Sequence, residues 1–391
     1  MIAPNSLPMT YLFLALCWLW SQIAAFSQEP GSAQWREAID RFRIQLRKDV
    51  DADDVGGITA AVFVGNRMVW AEGFGWADRD QKIPAGVETI YRVGSISKPI
   101  AAVALVQLAQ AGKLNVDDPV AKWVPEVNQF RDCPEDAAPM TLRHLVTHSA
   151  GLVREPALLG HSIGPVGDWE SKVLASIPTA RYARPPGEQV EYSNIGFATL
   201  GLAIGRASET PFIELVERDV FHRLQLRYTS YRIAPEHQHW LAVGYSNSRR
   251  TGEDDWRIDS VTPAREHNGR GYRVPNGGVY STVGELGQFM AAMWGEYGDV
   301  LLSDEWRREM MRLQTPGSET SGYGLGFNVQ IRPNGHCQVG HGGSVAGYTA
   351  HMVFDPDARV GVILLRNYNQ GATNLSRAAQ ALLSEIVNAI P

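Results

Sequence analysis

The chain of 391 residues is 44% hydrophobic, 20% charged and 9% aromatic, which excludes a disordered or a fibrous protein. Its 36 Lys and Arg stand against 42 Asp and Glu, for a net charge of −6. No basic stripe appears, so nucleic acid is not an expected partner. Positions 1–28 carry no charged side chain, and Tyr11 to Trp20 is an apolar run of signal-peptide length, too short for a membrane span. Residues 1–27 are therefore expected to be a signal peptide on a periplasmic or secreted protein. Membrane association is expected only if that segment stays uncleaved. The mature chain keeps Cys133 and Cys337; two thiols make neither a disulfide framework nor a four-ligand zinc site, and a single bridge stays open.

An amphipathic helix is expected over 33–47, with Trp35, Ile39, Phe42 and Leu46 on one face. A strand pair follows, Ile58 to Val64 and Met68 to Phe74, around a Gly65-Asn66 turn. From Pro99 to Ala111 nearly every side chain is apolar, the pattern of a buried helix. Pro99 suits its first turn and Gly112 its C-terminal cap. A second apolar helical run spans Ile195 to Ile204. Strands at Tyr348 to Phe354 and Val360 to Leu365 precede a helix from about Asn374 to Asn388, with Leu375, Leu382 and Ile386 buried. Strands at both ends imply an α+β fold: an antiparallel sheet built from both termini and flanked by helices, with a large, mostly helical subdomain inserted. Residues 28–391 are expected to form one domain, its α/β part at about 28–95 and 275–391 and its helical part at about 96–274.

Three short motifs carry chemistry. Ser95 and Lys98 lie three apart at the mouth of the buried helix, on one face of its first turn. A Ser hydroxyl needs a base to become a nucleophile, and a Lys among apolar groups loses its proton readily enough to serve. The helix N-terminus adds N–H groups where an oxyanion would develop. Tyr-Ser-Asn occurs at 192–194, a loop-to-helix junction, and again at 245–247. The first is the candidate, with the Tyr192 hydroxyl beside Lys98 and Asn194 on a substrate carbonyl. Tyr245, leading into Ser248-Arg249-Arg250, reads as a surface loop residue. The third motif, Gly340-His341-Gly342-Gly343-Ser344, would let substrate lie along a strand edge with the Ser344 N–H on its carbonyl oxygen.

In this order, Ser95-x-x-Lys98, Tyr192-x-Asn194 and His341-Gly342-Gly343 resemble the serine β-lactamase and penicillin-binding-protein superfamily. The nearest branch resembles the class C β-lactamase-related esterases, D-aminopeptidases and D-alanyl-D-alanine carboxypeptidases. The stretches 112–119, 145–152 and 277–282 extend the resemblance over most of the chain. It implies a serine hydrolase acting on small esters, amides or D-amino-acid peptides, without cofactor or metal. Ser95 would be the acylated nucleophile, with Lys98 and Tyr192 the proton-transfer pair. Asn194, His341, Gly342 and Gly343 would bind substrate, and the Ser95 and Ser344 N–H groups would form the oxyanion hole. β-Lactamases carry Lys-Thr-Gly where this chain has His341-Gly342-Gly343, and no lysine follows Lys172. Weak or no β-lactamase activity is therefore expected.

The alternatives are a true class C-type β-lactamase, or a penicilloyl-binding sensor or assembly-forming structural relative with little turnover. An α/β-hydrolase is disfavoured, because Thr147-His148-Ser149-Ala150-Gly151 lacks the first glycine of a nucleophile elbow and an oxyanion motif should precede the nucleophile. His237 and His239 have no further ligand at a useful spacing, so no metal is assigned.

Overall fold

The structure, a computed structural model, describes residues 32–249 and 256–390. The expected leader, residues 1–27, lies outside the described residues. Helix α1 (Ser32–Asp53) runs further than its periodicity foretold and buries Trp35, Ile39 and Leu46. Strands β1 (Gly57–Val64) and β2 (Arg67–Asp78) form the expected hairpin, and Gly65 turns it in the left-handed region at φ +57°. The short β3 (Ile83–Pro84) follows.

The middle of the chain is mostly helical and loop-rich. It includes α2 (Ser97–Gln110), α3 (Leu142–Val146), α4 (Asn194–Ser208), α5 (Val274–Gly277) and α6 (Val283–Met293). Strands then return as β4 (Ser321–Tyr323), β5 (Asn328–Ile331), β6 (Cys337–Val345), β7 (Tyr348–Asp355) and β8 (Val360–Arg366), followed by α7 (Leu375–Asn388).

The eight strands form one antiparallel sheet in the order β3-β2-β1-β8-β7-β6-β5-β4. The last strand therefore lies against the first, Ile58 opposite Arg366 and Val64 opposite Val360. The sheet is covered on both faces, which is why β8 is apolar from Val360 to Leu365. Val360, Val362 and Leu364 pack with Ile58, Ala60 and Val62 beneath α1 and α7. Ile363 and Leu365 point the other way, into the main core with Ala61 and Phe63.

Helix α2 runs through that core, and residues 97–106 and Leu108 are buried. It ends in the motif read from Gly112. That glycine has φ +68°, its N–H donates to the Ala109 carbonyl at 3.0 Å, and Lys113 N–H donates to the Leu108 carbonyl at 3.0 Å. Around β6 the sheet is asymmetric. β6 pairs with β7 over Val339–Val345, but with β5 only over Cys337–Gly340. From His341 onward one edge of β6 has no strand partner among the described residues.

One expectation needs correction. Tyr245 is not a surface loop residue: it is 2% exposed and packs with Val55 and Tyr368, and its hydroxyl accepts the Arg79 N–H at 2.8 Å. The polar residues after it belong to a strand, Ser246–Arg249, paired with Trp256–Asp259, and their polarity carries no sign of the burial of the residue before them. Cys133 and Cys337 are both free thiols.

Candidate active site

Ser95 sits in a tight turn, Gly94–Ile96, that leads into α2. The turn is pressed against β6. Gly94 has φ +54°, and a Cβ on it would stand 2.8 Å from the Ser344 nitrogen. A Cβ on Gly343 would overlap the Val93 carbonyl oxygen and come within 3.2 Å of the Ser95 nitrogen. Glycine at both places is what lets the backbone around Ser95 and that around Ser344 approach this closely. Ser97, which the sequence did not single out, locks the turn from below: its hydroxyl donates to the Gly94 carbonyl at 2.7 Å and accepts the Val279 N–H at 3.1 Å.

Lys98 is fully buried, and its Nζ lies 3.3 Å from Ser95 Oγ. Nζ also donates to Asn194 Oδ1 at 2.9 Å and to the Asn276 carbonyl at 3.2 Å. The Tyr192 hydroxyl donates to Ser95 Oγ at 2.9 Å. The three polar tips anticipated from distant stretches thus meet at one oxygen. Asn194, expected to contact substrate, also has protein partners. Its Oδ1 accepts from Lys98 and from Asn276 Nδ2, and its Nδ2 donates to Glu155 at 2.6 Å.

Burial pushes the Lys98 amine well below its ordinary pKa. The guanidinium charges of Arg270, Arg154 and Arg273 push the same way, and Glu155 opposes them. Burial moves Tyr192 in the other direction, above the ordinary phenol value, against the Ser95 hydrogen bond and the charge of Arg154. Both shifts favour the uncharged forms, the amine of Lys98 and the phenol of Tyr192. His341 is buried too, and burial followed by the Lys98 charge takes it down to about 3, so it is neutral at physiological pH. Its Nδ1 bonds the Gly342 carbonyl at 2.6 Å.

Several residues of this site escaped the sequence reading. His148, from the stretch weighed as a false nucleophile elbow, lies under Tyr192 with ring centroids 4.2 Å apart. Glu155 gathers Asn194, Tyr272 and Arg273, the last at 2.8 Å. Burial pushes its carboxyl up, but these hydrogen bonds outweigh it and hold the group below its ordinary value. Asn276 precedes the Gly277-Gly278 pair noted in the sequence, and that pair was its only signal.

Residues 43–385 match the Beta-lactamase family. The chain belongs to that family. It is similar to the D-alanyl-D-alanine-carboxypeptidase/endopeptidase AmpH of Escherichia coli, 26% identical over 357 residues, 84% of each chain. Its fold resembles an octameric penicillin-binding protein homologue from Pyrococcus abyssi, with TM-score 0.72, 24% identity and coverage of 90% of this chain and 77% of that one. A D-stereospecific amidohydrolase from Streptomyces sp. also shares the fold, with TM-score 0.68, 22% identity and coverage of 87% and 96%. The family is one of serine hydrolases, and this chain carries its α/β architecture with the large antiparallel sheet. Among the described residues no helix is long and apolar enough to cross a membrane.

Proposed function

We propose that this protein hydrolyses small esters, amides or D-amino-acid peptides through an acyl-enzyme at Ser95. The observation that carries the reading is Ser95 Oγ held at once by Lys98 Nζ at 3.3 Å and Tyr192 Oη at 2.9 Å. The neutral Lys98 amine takes the Oγ proton as Oγ attacks the substrate carbonyl carbon. Negative charge that develops on the carbonyl oxygen meets the Ser95 and Ser344 N–H groups. The proton passes through the Tyr192 hydroxyl to the leaving oxygen or nitrogen as its bond to carbon breaks. Water, deprotonated by the same pair, then cleaves the Ser95 ester. The unpaired edge of β6 from His341 to Val345 supplies backbone groups along which substrate can lie.

β-Lactam turnover is expected to be weak, since the buried, neutral His341 offers no charge to a carboxylate. The names of AmpH and of the Streptomyces amidohydrolase favour peptides and amides of D-amino acids as the first substrates to try. Mapping the adduct of a fluorophosphonate probe tests the reading: a Ser95 adduct supports it, and labelling at another serine sinks it. We further propose that the chain is exported by cleavage near residue 27, which N-terminal sequencing of the mature protein would check.

A further inference from the structure

The hairpin of β6 and β7 decides which backbone groups the free edge of β6 can offer. Only Ala346 and Gly347 separate Val345 from its partner Tyr348, and Gly347 has φ +78°. In so short a hairpin the closing pair exchanges both of its hydrogen bonds, and the bonding direction then alternates along the strand. Val345, Gly343 and His341 therefore bond toward β7, while Ser344, Gly342 and Gly340 turn the other way. Gly340 meets Asn328, the first residue of β5. Gly342 and Ser344 are left with their amides and carbonyls on the edge that has no strand partner among the described residues.

A substrate residue that gives its scissile carbonyl to the Ser344 N–H can give its own N–H to the Ser344 carbonyl. Two residues exchange both bonds only when their strands are antiparallel. Substrate then runs from Ser344 toward Gly342, in line with β5. The leaving residue lies opposite Gly343, and the backbone N–H that follows it faces the Gly342 carbonyl. That carbonyl is already engaged. His341 Nδ1 lies 2.6 Å from it, and because a carbonyl only accepts, the imidazole proton sits on Nδ1. The ring is 3% exposed and its centre lies 6.3 Å from that of Tyr192. Its Nε2 has no hydrogen-bond partner among the described residues, so nothing draws the ring away from Gly342. A substrate N–H at this point must share an acceptor that carries a short bond, and it loses water without a full replacement. One step further, Asn328 closes the edge.

We propose that His341 is a specificity residue: by occupying the Gly342 carbonyl it ends substrate pairing along β6 one residue past the scissile carbonyl. The enzyme then favours leaving groups that present no N–H at that point, such as a single residue or one continued by an ester. The inference rests on the hydrolase reading for the place of the scissile carbonyl, but the preference can also be measured as binding, without turnover.

The test pairs N-acetyl-D-alanyl-D-alanine methyl ester with the matching N-methylamide, which differ only by an oxygen or an N–H where the chain faces Gly342. Cleavage of the D-alanyl-D-alanine bond is followed by chromatography of the released D-alanine ester or amide. The full-length protein should show a higher kcat/KM for the ester. His341→Phe keeps a ring but frees the carbonyl, and should shift the ratio about tenfold toward the N-methylamide, the size of one hydrogen bond. His341→Asn still carries an N–H donor and should keep the original preference. Calorimetry with Ser95→Ala, alone and combined with His341→Phe, should reproduce the same ratios as binding constants. A preference for the N-methylamide in the unsubstituted protein overturns the proposal, and that comparison stands even if His341→Phe does not fold. So does a ratio that His341→Phe leaves unchanged, or a failure of both probes to be cleaved or bound. Fluorophosphonate labelling of Ser95 tests the hydrolase reading separately. Labelling without the ester preference would leave the hydrolase standing and remove only the role of His341.

Discussion

His148 holds Tyr192 from both neighbouring peptides. Its carbonyl accepts the Glu191 N–H at 2.7 Å, its Nδ1 accepts the Ser193 N–H at 3.1 Å, and its ring lies under the phenol. The backbone at 148 has φ +59°, a left-handed conformation that asparagine tolerates better than most residues. His148→Asn keeps a side-chain acceptor near Nδ1 and should lose about tenfold or less in ester turnover. His148→Leu removes the acceptor and strains the turn, and should lose about a hundredfold in kcat with a smaller effect on KM. Equal losses in the two variants would reduce His148 to a filler of space.

The contact between Gly343 and Val93 gives a sharper test of the nucleophile turn. Any side chain at 343 must push the Val93–Ser95 backbone away from β6, because a Cβ there would overlap a carbonyl oxygen. Gly343→Ala should slow acylation of Ser95 by about a hundredfold or more, the cost of displacing a reacting atom by roughly an ångström. Gly342→Ala is the comparison for packing, since the nearest neighbours of its Cβ would be the His351 ring at 3.2 Å and the Ala350 carbonyl oxygen at 3.8 Å, both at ordinary or slightly tight contact. Probe labelling rates and thermal melts of the two proteins would separate misplacement from misfolding.

These tests also show what the sequence made legible. The Gly65-Asn66 hairpin, the apolar runs of β7 and β8, the buried α2 and the glycine that ends it are local signals, and each element formed where its period placed it. Ser95, Lys98 and Tyr192 announced themselves through short spacings at helix starts. The supporting residues did not, because their partners are remote in the chain. Glu155 meets Arg273 and Tyr272, Asn276 meets Lys98, and His148 meets Tyr192 only once the fold is closed. Tyr245 misled for the same reason: the polar residues that follow it say nothing of Tyr368 and Val55, which bury it.

Asn367 illustrates such a remote partner in the fold itself, and its removal should be costly. It is fully buried at the end of β8. Its Oδ1 accepts the Gly57 N–H at 2.6 Å, and its Nδ2 meets the carbonyls of Trp76, Ala77 and Val243 at 3.1, 3.0 and 2.7 Å. Asn367→Leu would strand several backbone groups without water and should cost about 3 kcal/mol. Asn367→Asp should cost more at neutral pH, since it turns a carboxylate toward those carbonyls. Urea unfolding should show a lower midpoint with an unchanged slope.

The pH dependence follows from the charges around Lys98. The base works only when unprotonated, so kcat/KM for a neutral ester should rise with pH along one limb and then level. Burial and the cations Arg270, Arg154 and Arg273 lower the Lys98 pKa, which moves that limb well below the ordinary lysine range. Tyr192 is raised, so its ionisation should not cut the plateau near neutrality. The other groups facing Nζ contribute no competing charge: Ser95, Asn194 and Asn276 do not titrate, and His148 and His341 are held neutral chiefly by burial. The signs for variants are opposite. Arg270→Gln removes a positive charge, eases protonation of Lys98 and should shift the limb upward by about one pH unit. Glu155→Gln removes the carboxylate that favours the ammonium form and should shift it downward. Profiles that keep the same limb in both variants would mean that Lys98 is not the group whose proton governs the reaction.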